Sequence, residues 1–160
     1  LILTFARLGL PMNQDWWNSF LQKLASNPLG PQEFSALNKL ATERVANDVN
    51  AIDEKELRRA YETVIARQPT RATWRTQYAD LASYALHDDS LAAEQFLALI
   101  RNARNPDASA AEWLTYLVFN GREGVAAALA PMVEKQFPSV ADTTQWQAMR
   151  SQVKSPPIDQ

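Results

Sequence analysis

Apolar residues recur along most of this chain at helical spacing. Trp16, Trp17, Phe20, Leu21 and Leu24 fall on one stripe. So do Phe34, Leu37, Leu40, Ala41 and Val45, then Leu57, Ala60, Tyr61, Val64 and Ile65, and then Trp74, Tyr78, Leu81, Ala82 and Ala85. The pattern continues through Leu91, Phe96, Leu97 and Ile100, and again through Trp113, Tyr116, Leu117 and Val118. A recurrence every three to four residues marks an amphipathic helix. Adjacent Trp16 and Trp17 point about 100° apart on a helix, so at most one of them faces a core squarely. Strand signals are poor, because no run alternates apolar with polar residues and is rich in Val, Ile and Thr.

The boundaries of these stripes carry capping residues. Asn13 precedes the first. Pro31 follows Gly30 at a first helical position, with Glu33 in the first turn. Asp53 with Glu56 three residues later has capping-box spacing, and so does Ser109 with Glu112. Thr70 is read as opening one helix, Asp89 or Ser90 as capping another, and Ser139 as capping a last helix through Trp146 and Met149. The span from Arg122 to Phe137 reads as helical with a kink or break at Pro131. Gln68-Pro69, Asn105-Pro106 and Phe137-Pro138 read as stops, since the residue before Pro disfavours the α region. Those prolines lie 37 and 32 residues apart, near the ~34-residue period of helix-turn-helix repeats. Short loops at His87-Asp88-Asp89 and from Gly121 to Gly124 make neighbouring helices antiparallel. The expected architecture is therefore all-α, about seven helices in stacked antiparallel pairs. It forms a single helical-repeat domain over residues 13–153, with an apolar lead-in at 1–12 and a frayed tail at 154–160.

This arrangement resembles a degenerate tetratricopeptide-type repeat array. The second helix of such a repeat carries a small residue, an aromatic four on, small or apolar residues after it and a closing Pro. Leu57, Tyr61, Val64, Ile65 and Pro69 follow that spacing, except that Leu57 is not small. Ala126, Ala130, Val133 and Pro138 follow it without the aromatic, and Ala93, Leu97 and Ile100 follow it with Pro106 one residue late. Tyr78, Leu81, Ala82 and Ala85 match the first-helix pattern with smaller residues, and Trp113, Tyr116 and Leu117 match it in part. The resemblance spans roughly Pro31 to Gln152 and implies a right-handed α-solenoid acting as a protein-interaction or scaffolding module. Stacked hairpins of this kind also resemble the superhelical domains of bacterial cell-wall lytic enzymes, and the soluble tails of membrane polymerases and polysaccharide-export proteins. By that analogy the alternative is a helical accessory domain of such an enzyme.

Charge and composition narrow the picture. The formal net charge is −2 and charged residues make up 21% of the chain, which disfavours a dominant nucleic-acid role. Arg67, Arg71 and Arg75 form the longest basic-leaning stretch and read as a solvated helix start. There is no Cys, which removes disulfides, thiolate metal sites and Cys nucleophiles. His87 is the single His and reads as a loop residue beside a helix cap, not a metal ligand with Asp88 and Asp89. Asp53, Glu54 and Glu56 read as first-turn anions complementing a helix dipole. Gly121-Arg122-Glu123-Gly124 lacks the Lys and the preceding strand of a phosphate loop and reads as a turn. No nucleophile-base-orienter set emerges, so the expectation is a non-catalytic domain with no cofactor and no metal.

The chain opens on Leu1 rather than Met, which reads as a fragment or processed form. The apolar run from Leu1 to Leu10 is too short to span a bilayer, which takes ~20 residues. It is either an ordinary first element or the trailing end of a removed signal or membrane anchor. With the absence of Cys and the several Trp, this leans toward the bacterial periplasm or cell envelope. The expected partner is a protein or peptide segment, bound on the layer made by the first helix of each pair. Lys39, Arg44, Arg75, Gln77 and Thr115 miss the core stripes of those helices and are the candidate contacts.

Overall fold

The computed structural model describes residues 13–26, 29–47 and 53–154, with Ile2, Thr4 and Leu8 ahead of them, and the side chains of 43–47 are not among those described. The lead-in and the frayed tail, apart from those three residues and Lys154, lie outside the described residues, as do the side chains of Arg44 and Val45. Among the described residues there are eight α-helices, against the seven or so expected, and no strand. Within the span read as one domain the chain separates into two compact units, one ending at His87 and the other beginning at Asp88.

The first unit contains α1 (Gln14–Ala25), α2 (Pro31–Asn47), α3 (Glu54–Arg67) and α4 (Ala72–Asp80), and α4 runs directly into a π-helical turn, Leu81–Ala85. Helix α1 packs on α2 and α3, α3 packs on α4, and α2 packs on the π turn. The stripes read from the sequence make this core: Trp17, Leu24, Leu37, Leu40, Leu57, Tyr61, Val64, Trp74, Tyr78 and Leu81 are all buried. Each such side chain contributes about 1.5–3 kcal/mol by leaving water. Of the adjacent tryptophans, Trp17 is the buried one and Trp16 is 37% exposed.

Caps hold where the geometry permits. The Asn13 side chain accepts from Trp16 N, and Asp53 accepts from Lys55 N. The reciprocal capping box at Asp53 is not made, because Asp53 caps through Lys55 N and the Glu56 carboxylate accepts from the indole N–H of Trp17 on α1. A buried indole N–H with no acceptor costs more than an exposed cap contributes, so the long-range bond takes the carboxylate. Thr70 is not a cap. The α4 helix starts two residues later behind Arg71, whose guanidinium sits 5.2 Å from the Phe34 ring centroid and 5.7 Å from that of Trp74. Arg71 is exposed at this helix start, as read from the sequence, and its guanidinium also covers the two rings.

The second unit contains α5 (Asp89–Arg101), α6 (Pro106–Phe119), α7 (Glu123–Gln136), a 3₁₀ turn (Pro138–Asp142) and α8 (Thr144–Arg150). Helix α7 packs on α5 and α6, α5 also on α6, and α6 on α8. Asp88, rather than Asp89 or Ser90, caps α5 by accepting from Leu91 N. Asn105 caps α6 by accepting from Ala108 N, with Pro106 at the first helical position. Asn105-Pro106 therefore opens a helix, and Ser109 lies inside it rather than at its cap. A Pro that disfavours helix in the preceding residue is itself well suited to a first turn. Helix α7 passes Pro131 as one element, and no break occurs there. Ser139 sits in the 3₁₀ turn and donates to Asp107 at 2.7 Å, while the last helix starts at Thr144. The turn at Gly121 closes α6: Arg122 N–H donates to Leu117 O at 2.9 Å and Gly121 N–H to Val118 O at 3.2 Å. Gly121 has φ +68°, the left-handed geometry that such a helix ending requires. Tyr116, read as a stripe residue, is 44% exposed, whereas Leu114 and Leu117 are buried.

The Trp17–Glu56 bond yields a stability prediction. Glu56→Leu strands a buried indole donor and is expected to cost about 1–3 kcal/mol in urea unfolding. Glu56→Gln keeps an acceptor oxygen and is expected to cost no more than about half of that. Equal losses would show that Glu56 contributes something other than this bond.

Candidate functional site

The π turn shapes one side of a cleft of about 180 Å³. A π turn accommodates one residue more than an α turn, and here Leu86 N–H bonds to Leu81 O, five residues back, at 3.1 Å. Such turns recur at functional sites because they offset the side chains that follow them. One wall is Asn38, Ala41 and Thr42, at positions i, i+3 and i+4 of α2. The facing wall is Gln77, Asp80, Leu81 and Tyr84, a stripe that runs from α4 into the π turn. Tyr61 of α3 completes the lining. Tyr84 is 53% exposed at the mouth, while Tyr61 is wholly buried.

The polar bookkeeping of this cleft is incomplete. The Tyr61 hydroxyl and Gln77 Oε1 are both buried, and neither has a hydrogen-bond partner among the described residues. Buried polar atoms are nearly always paired, so two in one small cleft point to an occupant that supplies the missing partners. The Tyr61 ring itself is held firmly. It stacks on Tyr78 with centroids 5.3 Å apart and planes 3° from parallel. The Tyr78 hydroxyl, by contrast, has an acceptor, donating to Glu62 Oε1 at 3.2 Å. Burial, and after it the negative charge of Asp80, push the Tyr61 phenol far above its ordinary value. It therefore stays a neutral hydroxyl, able both to donate and to accept.

A larger depression of about 390 Å³ lies between α1 and α2, lined by Ile2, Trp16, Ser19, Phe20, Lys23, Gln32, Glu33 and Ala36. None of the unsatisfied buried atoms lines it. Among the described residues no group of three His, Cys, Asp or Glu is arranged to hold a metal ion, and no helix is long and apolar enough to cross a membrane. His87 is exposed and has φ +51°, which suits a turn between helices. The acids at the start of α3 are taken up locally, Asp53 by its cap, Glu56 by Trp17, and Glu54 by Arg58 at 2.7 Å.

Of the five residues singled out from the sequence, Gln77 lines the cleft. Lys39 is exposed on α2 but does not line it, and Arg75 is half-buried on α4 and engaged with neighbouring groups. Thr115 belongs to the second unit, where its hydroxyl donates to Ala111 O at 2.7 Å. The side chain of Arg44 lies outside those described. Sequence reading placed Tyr61 and Leu81 in the core and passed over Asn38, Thr42, Asp80 and Tyr84. The one available signal was Tyr61 itself, a phenol on an otherwise apolar stripe whose hydroxyl needs a partner when buried.

No family model, curated protein or solved structure matches the chain.

The unpaired hydroxyl predicts an asymmetry between two tyrosines. Tyr61→Phe removes a buried group with no partner and is expected to leave stability unchanged or slightly raised, whereas Tyr78→Phe breaks a bond and is expected to cost about 1 kcal/mol. Thermal unfolding of both variants checks this. The pH dependence has a definite sign. An unfolded phenol ionises near pH 10 while Tyr61 in the fold does not, so the stability it contributes is complete below about pH 10 and is lost as the pH rises further. Alkaline destabilisation should be shallower in Tyr61→Phe than in the parent chain.

Proposed function

We propose that this chain is a non-catalytic interaction or scaffolding module that binds a protein or peptide segment on the layer containing α2 and α4. The observation that carries the reading is the cleft between those two helices, with two buried oxygens that have no partner among the described residues. An extended segment offers both N–H and C=O groups, the partners those atoms require. Every second helix packs against its predecessor but one within each unit, α1 with α3, α2 with the end of α4, α5 with α7 and α6 with α8. Stacked hairpins of a tetratricopeptide-like solenoid have such a layering, and in them one layer is the binding face. The cleft has one acid in its lining, Asp80, and a carboxylate pair for acid-base chemistry is not among the lining residues.

Selection of a random peptide display library on the immobilised chain tests the proposal. Enriched peptides should share a motif, and their binding should fall at least about tenfold, roughly 1.4 kcal/mol, in Arg75→Ala/Gln77→Ala. Circular dichroism of the variant must be unchanged. A selection without enrichment, or peptides indifferent to both substitutions, would overturn the assignment of this face.

A further inference from the structure

Asn120 and Gly121 close α6, and nowhere else in the sequence does Gly directly follow Asn. That pair carries a reaction of its own. The backbone nitrogen of the residue after an Asn can attack the side-chain amide carbon and close a succinimide ring. A side chain on the following residue shields that nitrogen, and Gly has none. The space around it is open as well, since a Cβ built on Gly121 would meet no atom beyond its chain neighbours within 4 Å. Asn120 is exposed, so water and hydroxide reach its amide. Two features of the fold set the pace. Asn120 has ψ 10°, which turns the Gly121 nitrogen away from the Asn120 side chain. The side chain is also tethered, its Nδ2 donating to Tyr116 O at 2.7 Å. Ring closure therefore requires the last turn of α6 to open, and helix ends open at little cost. Three backbone bonds resist it: Asn120 N–H to Tyr116 O at 3.0 Å, Gly121 N–H to Val118 O at 3.2 Å and Arg122 N–H to Leu117 O at 2.9 Å.

We propose that Asn120 is a modification site that converts to aspartate and isoaspartate in the folded protein, and that the conversion loosens the end of α6. The Gly121 nitrogen gives up its proton and bonds to Asn120 Cγ, while the Cγ–Nδ2 bond breaks and ammonia leaves. Water then opens the ring. Breaking the new Cγ–N bond gives aspartate, and breaking the original backbone C–N bond gives isoaspartate. The net exchange is an amide and water for a carboxylate and ammonium, with no oxidation or reduction. The product suits its place less well. Its carboxylate has no hydrogen to give Tyr116 O, and it puts negative charge at the negative end of the α6 dipole. Isoaspartate also adds a backbone carbon to the turn that leads into Arg122, a buried residue whose guanidinium lies 5.6 Å from the Phe96 ring centroid. The opening that admits the reaction is thus easier after it, and the change runs one way.

The test incubates the whole chain folded and, in parallel, denatured in guanidinium, over a range of pH. Peptide mapping by mass spectrometry locates amide loss, and chromatography separates the two isomers. In the folded chain, conversion is expected at Asn120 ahead of Asn18, Asn38 and Asn102. It should quicken as the pH rises, because the Gly121 nitrogen must lose its proton. It should run no more than about thirtyfold slower than in the denatured chain. Asn120→Gln, which would need a larger ring, is expected to keep its amide. Asn120→Asp introduces the charge directly, and hydrogen exchange of the backbone amides of residues 120–122 should be about fivefold faster than in the parent chain. A folded chain that keeps Asn120 beyond the thirtyfold limit, or that loses another of these amides first, would overturn the site. Amide loss in Asn120→Gln at the parent rate would mean direct hydrolysis and would overturn attack by Gly121. Unchanged exchange in Asn120→Asp, with the circular dichroism of the parent, would overturn the loosening.

Discussion

The structure depends on finding an acceptor for every buried indole. Trp17, Trp74 and Trp146 are the largest fully buried side chains, and each carries one N–H that must be paired inside the protein. Trp17 on α1 donates to Glu56 on α3, and Trp74 on α4 donates at 2.8 Å to Gln68, the residue that closes α3. Trp146 on α8 donates at 3.3 Å to Glu134 on α7, whose same oxygen also accepts from Arg150 at 2.7 Å. In each case a long Glu or Gln reaches from another element, so the bond joins two helices as well as satisfying one donor. Close packing of the apolar stripes already resists sliding along a helix axis. The indole bonds penalise such a slip, because each leaves a desolvated donor unpaired.

Against that background the cleft beside the π turn stands apart. Among the described residues the buried tryptophan donors and one of two stacked tyrosine hydroxyls are paired, whereas the other hydroxyl and a glutamine oxygen, two of the four buried side-chain atoms without a partner, meet in the lining of this cleft. Unmatched buried atoms cost stability, and the π turn that ends α4 gives up regular α-helical bonding. Features that cost stability without a structural return tend to collect where a protein meets a ligand.

Much of the helical framework was legible in advance, since caps and stripes are local properties. Asn13, Pro31 and Asp53 mark helix starts through interactions spanning two to four residues, and the structure keeps all three. The readings that failed did so for identifiable reasons. Ser109 has capping-box spacing to Glu112, but Asn105 and Pro106 make a stronger start one turn earlier, and a helix has only one first turn. Glu56 has the right spacing to complete a capping box at Asp53, but a tryptophan 39 residues away competes for it. The cleft was legible in Gln77, which misses the core stripe, and in Tyr61 only as a phenol on an apolar stripe, because a sequence does not show whether that hydroxyl is paired. Whether Tyr61 finds an acceptor depends on what α2 and α4 place beside it.

The sequence by itself determined the helical class, the approximate position of each helix and the side of each that is buried, because periodicity and capping act within a turn or two of chain. Tertiary structure decided which acceptor each indole takes, which of two aromatic neighbours is covered, and that the end of α4 widens into a π turn against α2. It also decided that Tyr61, Gln77 and Asp80 share one cleft. Those outcomes follow from contacts between residues distant in sequence, where the cost of a buried unpaired atom outweighs local preference.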